Sequence, residues 1–117
     1  MTGFHEREQA FEAKFAHDAE VAFLATARRD RLFAEWAAER LLLSKGATVG
    51  LVSSLQALGE GPGRDTLLVG QVANAFTRYR QAMPYIDIVA ALADCAARAR
   101  QQATAGLLDD AGARLSP

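Results

Sequence analysis

The sequence predicts an all-α chain, an antiparallel four-helix bundle with a mobile N-terminal segment, and three observations lead there. Twenty-five alanines and 14 leucines stand against 14 β-branched residues (Val, Ile and Thr together), a balance that favours helix over strand. Apolar residues recur at spacings of three and four through most of the chain, as they do on amphipathic helices. Glycine and proline punctuate it around Gly46, at Gly59–Gly63 and at Pro84, leaving four helical stretches with short connections. With 117 residues, half of them apolar, the chain suits one domain with a real core, and an all-β or Rossmann-type fold is excluded.

The first stretch, Phe4 to about Leu43, contains no proline and no glycine. It predicts one long helix, or two with a hinge near Arg29-Asp30. From Val21 onward, Val21, Ala25, Leu32, Trp36 and Leu43, flanked by Ala22, Phe33 and Ala37, make a broad stripe suited to a bundle core. Ahead of Val21 the stripe thins to Phe4, Phe11, Phe15 and Ala22. There Glu8 and Glu12 repel at i,i+4 and only Lys14 with Asp18 compensates. An isolated helix of this kind is marginal in water, so residues 1–18 are expected to order when a partner covers the phenylalanines. The alternative is that these rings extend the bundle core.

Gly46 is the expected cap of the first helix. A second runs from about Thr48 to Leu58 with Val52, Leu55 and Leu58 on its face. The loop Gly59-Glu60-Gly61-Pro62-Gly63 follows. Asp65 or Thr66 caps a third helix through about Ala82, with Leu68, Val69, Val72, Phe76 and Tyr79 inward. Pro84 starts a fourth, which carries Ile88, Val89, Leu92, Cys95 and Ala99 and ends before Gly106. Asp109 to Pro117 reads as a frayed tail. The division is thus a flexible segment 1–18, a helical domain 19–107 and a tail 108–117.

Charge separates the head from the body. Residues 1–45 hold 7 basic and 8 acidic side chains, residues 46–117 only 6 and 6, and the net charge is −1. No global field attracts nucleic acid or an anionic membrane, and Arg28, Arg29 and Arg31 read as a solvated face. The longest uncharged run, Gly46–Gly59, is 14 residues and includes Ser53, Ser54 and Gln56, too short and polar to span a bilayer. The first twenty residues carry seven charges, unlike a secretory signal. A single cysteine, Cys95, excludes an intrachain disulfide and fits a cytoplasmic protein, with the thiol as a small core group.

Little here supports catalysis. A carboxylate-bridged metal site in a bundle needs paired Glu-x-x-His motifs, whereas His5 and His17 each lack a glutamate three residues earlier. No serine, cysteine or threonine stands in a recognisable nucleophile motif. The loop Gly59–Thr66 leads into a helix N-terminus, a place that can bind phosphate, but it lacks the P-loop lysine and carries Glu60 and Asp65, so a plain connector is the better reading. Neither cofactor nor metal is expected. A small metal-dependent helical enzyme is the competing reading from another class. The residues point to a partner-binding helix, with phenylalanines in a groove and Arg7 and Lys14 meeting acids at its edge.

Phe4, Arg7-Glu8, the run AFEAKFAHD from Ala10 to Asp18, Phe23, Ala27-Arg28-Arg29 and Trp36-Ala37-Ala38-Glu39 together resemble the alphaproteobacterial zeta subunit of F-type ATP synthase over about 40 residues. The resemblance implies a four-helix protein whose N-terminal helix enters the catalytic sector of the synthase and blocks ATP hydrolysis, without being an enzyme. Matched position by position, the partner-binding residues are Phe4, Arg7, Glu8, Phe11, Lys14, Phe15, His17 and Asp18, with His17 as a polar contact. The alternative within the same fold is a binding module without inhibition, one that takes nucleotide on the bundle, which the resemblance also implies. The uncharged second helix and Gly-Pro loop depart from the family's charged pattern. Self-association through Leu67, Leu68, Phe76 and Tyr85 is a further expectation.

Overall fold

Nothing from Thr2 to Leu41 interrupts the backbone ladder, and one helix, α1, runs unbroken over those 40 residues with no hinge at Arg29-Asp30. The computed structural model describes the backbone of residues 2–115 and the side chains of residues 5–106. α2 spans Lys45–Gln56, α3 Arg64–Arg78 and α4 Tyr85–Leu115, and no strand occurs among the described residues. Met1, Ser116 and Pro117, which belong to the predicted flexible segment and tail, lie outside them.

The C-terminal ends of α1 and α3 differ from the expected ones for a common reason. α1 stops at Leu41 because Leu42 turns left-handed (φ 54°), and the N–H groups of Leu43 and Leu42 donate to Ala38 O (2.9 Å) and Glu39 O (3.2 Å). The same closure ends α3 at Arg78 rather than Ala82: Arg80 takes φ 56°, Gln81 N–H donates to Phe76 O and Arg80 N–H to Thr77 O, both at 3.0 Å. These are Schellman caps formed without glycine, so no glycine marks them in the sequence. Gly46, the expected cap, lies inside α2, which begins three residues earlier than predicted because Ser44 Oγ accepts from Ala47 N–H at 3.1 Å. α3 begins at Arg64 with Gly63 (φ 84°) as its N-cap, ahead of the predicted Asp65 or Thr66. α4 does not end before Gly106 but continues to Leu115, since Gly106 and Gly112 each cost a helix interior only about 1 kcal/mol and alanines stand beside both.

Leucine in the left-handed region is strained by about 1–2 kcal/mol, and Leu42 is 87% exposed, so its side chain offsets little. Leu42→Gly is expected to stabilise the protein by about 0.5–1 kcal/mol after glycine's greater freedom in the unfolded chain is subtracted. Urea denaturation at unchanged m-value should show it as a higher midpoint.

The core draws on all four helices: Phe33, Ala37 and Leu41 of α1, Leu55 of α2, Leu68, Val72 and Phe76 of α3, and Ile88, Leu92 and Cys95 of α4. Trp36 lies half-buried beside it, stacked on Phe33 (centroids 6.0 Å, planes 5° apart) and tilted against Phe76 (5.8 Å). The Arg40 guanidinium covers the indole at 5.5 Å, a cation–π contact that shields it from water. Leu68 and Phe76, expected in a self-association surface, are core residues, while Leu67 and Tyr85 remain exposed.

Cys95 is buried, and burial pushes its thiol above the ordinary value, with Asp94 adding to the rise and Arg98 opposing it. The unfolded chain therefore releases this proton first, and stability falls as pH rises through the thiol range. A disulfide reagent at pH 8 should label native protein only as fast as it opens. Prompt labelling would show that the thiol is reachable in the folded state.

The molecule is elongated. Its radius of gyration is 18.4 Å, against about 13 Å for a compact chain of this length. The long dimension of 67 Å follows from α1, whose 40 residues make about 60 Å of helix. Only the second half of α1 carries buried side chains: Ala25 is the first, and residues 5–20 are all exposed.

Candidate partner-binding surface

The apolar stripe of α1 is continuous in sequence but covered only in part. Phe11, Ala22 and Phe33 repeat every 11 residues, as do Phe4, Phe15, Thr26 and Ala37, a spacing that stays on one helix face. Phe33 and Ala37 are fully buried, whereas Phe11 and Phe15 are 71% and 70% exposed. The face that enters the core at one end of α1 thus runs on into solvent at the other. Phe11 and Phe15 do not extend the core, because no second helix lies over them among the described residues.

The structure sorts the remaining arm residues by angle. At about 100° per residue, Asp18 and Glu8 fall within about 40° of the phenylalanine line, and Arg7 and Lys14 lie farther round on the flank opposite Glu8. His17 falls about 140° away, on the back of the helix, so the arm does not bring it to the same face. All five are exposed, and the Phe4 side chain lies outside the described residues. Lys14 and Asp18 do not form the expected ion pair. The ion pairs among the described residues all belong to the body.

Where the arm meets the body, the glycine loop does more than connect. Gly61 (φ 130°) and Gly63 (φ 84°) adopt left-handed backbone, which turns Arg64 inward until it is 7% exposed. Its Nη2 reaches Asp30 Oδ2 at 2.8 Å and also donates to Leu55 O at 3.1 Å, while Nε donates to Leu58 O at 3.2 Å. Carbonyls at the C-terminal end of α2 gain a cationic cap in this way, and one guanidinium ties α1, α2 and α3 together. Arg29, half-buried, holds the other Asp30 oxygen at 3.1 Å and Asp65 at 3.1 Å. The hydrogen bond to Asp30 keeps the Arg64 pKa above its ordinary value, although burial opposes it. Arg64 Nη1 is enclosed and has no partner, a state that costs about 1–3 kcal/mol.

Beside this cluster lies an open cavity of about 510 Å³, bounded by Phe23, Ala27 and Asp30 of α1 and by Gln56, Glu60 and Arg64. Phe23 is 73% exposed. Asp30 and Arg64 lie 34 positions apart, the first at what the sequence offers only as a candidate hinge and the second in what it offers only as a connector. One signal existed: Asp30 stands three residues before Phe33 on the core side of α1. No group of three or more His, Cys, Asp or Glu residues capable of holding a metal occurs among the described residues.

A family model for the ATPase inhibitor subunit zeta matches residues 1–102. The chain belongs to that family. The match covers the arm, α1, α2, α3 and most of α4, and so includes the helical body that the sequence resemblance, confined to the head, did not reach. No curated protein and no solved structure matches the chain. The family is one of ATPase inhibitor subunits, a regulatory role, and the zeta-subunit assignment suggested by the run from Ala10 to Asp18 holds. No described helix of this zeta-family chain is long and apolar enough to cross a membrane.

Proposed function

We propose that this chain inhibits ATP hydrolysis by a cytoplasm-facing F-type ATP synthase, its N-terminal helix entering the catalytic sector while the four-helix body, packed antiparallel, stays outside. The observation that carries this is the uncovered phenylalanine stripe on a helix that projects from the core, in a chain of an inhibitor-subunit family. The inhibitor makes and breaks no bond. A helix wedged among moving subunits prevents the closure and rotation that hydrolysis requires. Phe11 and Phe15 supply the buried anchors, and Arg7, Glu8, Lys14 and Asp18 meet polar groups around them. Phe4 extends the same line, and His17, on the opposite face, makes a polar contact only if the site surrounds the helix. Antiparallel packing is supported by neighbours along α1 and α4: Trp36 and Arg40 share a cleft with Met83 and Asp87, whereas Arg28 reaches Gly106.

Inhibition by the intact protein and by a chain starting at Ala19 tests the proposal. The shortened chain should leave hydrolysis by the cognate enzyme unaffected. Equal inhibition would move the function to the body, and inhibition by neither would overturn the reading. Amide exchange tests the mobility of the arm: residues 5–18 should exchange fast, since no packing protects their hydrogen bonds, and residues 33–41 slowly. Slow exchange throughout would show a rigid arm.

A further inference from the structure

The phenylalanine line on the arm has unlike sides. At about 100° per residue, Glu8 and Glu12 lie about 40° and 80° to one side of the line through Phe11 and Phe15, and Arg7 and Lys14 about 60° and 80° to the other. All four are exposed, as are the two rings, and none of the four makes an ion pair among the described residues. We infer that the arm's seat in the partner is an apolar groove with one acidic and one basic wall, the acidic wall along Arg7 and Lys14 and the basic wall along Glu8 and Glu12; the inference rests on the function proposed above.

Charge complementarity selects this occupant. The rings alone fit any hydrophobic groove, in either direction. A groove with two acidic walls repels Glu8 and Glu12, and one with two basic walls repels Arg7 and Lys14. Unlike walls also fix direction, because a helix turned end for end in the same groove puts its acids on the acidic wall. Asp18 lies about 40° to the basic side, one turn nearer the body than Lys14, so the acidic wall need span only Arg7 to Lys14, about 10 Å of helix. A second copy of the chain does not fit. Two arms laid antiparallel on their phenylalanine faces bring acid to acid and base to base. Two laid parallel bring unlike sides together, but beyond Ala22 the second arm meets the helices that bury Phe33 and Ala37 on the same face.

The test is binding of full-length variants to the purified catalytic sector of the cognate synthase at low and high salt, with thermal unfolding as a folding control. Arg7→Glu/Lys14→Glu and Glu8→Lys/Glu12→Lys should each weaken binding about tenfold at low salt, and less at high salt. Glu6→Lys/Glu20→Lys changes the net charge as much as the second pair but sits about 160° from the line; it should bind within about twofold of the wild type. All these side chains are exposed and Glu, Lys and Arg are good helix formers, so the melting temperature should not move. Tighter binding by Glu8→Lys/Glu12→Lys would show two acidic walls, tighter binding by Arg7→Glu/Lys14→Glu two basic ones, and an equal loss from Glu6→Lys/Glu20→Lys an effect of net charge alone; each overturns the inference. So does a free protein that sediments as a dimer and becomes a monomer on Phe11→Ala/Phe15→Ala, which would make a second copy the occupant. Wild-type binding by both reversed pairs, beside loss in the Phe11→Ala/Phe15→Ala chain, would remove the charged walls and leave the proposed function standing. No binding by the wild type would sink both.

Discussion

Arg64→Ala is expected to cost about 3 kcal/mol of stability, because it leaves Oδ2 of the buried Asp30 carboxylate without a partner while Arg29 keeps the other oxygen, and uncaps the end of α2. Typical domains have about 5–15 kcal/mol in total, so the variant should be partly unfolded or melt far below the wild type. The exposed partner pair, Arg29 with Asp65, offers a contrast within the same cluster: Asp65 is 69% exposed, and Asp65→Ala should cost no more than about 1 kcal/mol. Urea denaturation of Arg64→Ala, Asp30→Ala and the double variant measures the coupling. The double variant should lose less than the sum of the two, since removing both charges leaves none unpaired. A loss below about 1 kcal/mol for Arg64→Ala would mean that water reaches the pair freely. Because Asp30 lies on α1 seven residues beyond Phe23, the same substitution also loosens the foundation from which the arm projects.

The Phe11→Ala/Phe15→Ala chain is expected to show the opposite division. Both rings are largely exposed, so melting temperature should stay within about 1–2 °C of the wild type, in keeping with surface substitutions of small effect. Inhibition of ATP hydrolysis should weaken at least about a hundredfold, the loss of two buried aromatic anchors at about 2 kcal/mol or more each. Measuring inhibitory potency and thermal unfolding on the same preparations separates the two roles. Undiminished inhibition would show that the stripe is not the contact surface, and a large drop in melting temperature would show that it is packed in the free protein after all.

The two variants fall on opposite sides of what could be read in advance. The exposed rings were legible: Phe11 and Phe15 have the spacing of a helix face, and the run from Ala10 to Asp18 has the identity of a family. The buried pair was not. Asp30 sits between two arginines, where local rules read a solvated surface, and Arg64 sits in a loop of glycines, where they read a connector. Only the packing of α1 against the end of α2 makes them partners. The helix ends show the same limit. Ser44 caps α2 by a local hydrogen bond that a sequence can suggest, but Leu42 and Arg80 close their helices in left-handed backbone against their own preference, with no glycine to mark the place.

Composition and periodicity alone determined that this chain is helical, that it has four helices, and that its N-terminal face is apolar and aromatic, because each of these depends on residues within a few turns of one another. Tertiary structure decided which part of the α1 stripe is core and which is surface. Phe33 and Phe11 occupy equivalent places in one repeat, and they differ only in whether other helices lie over them. It also decided that Arg64 is an anchor, since a buried charge is stable only where a distant chain segment brings the opposite one.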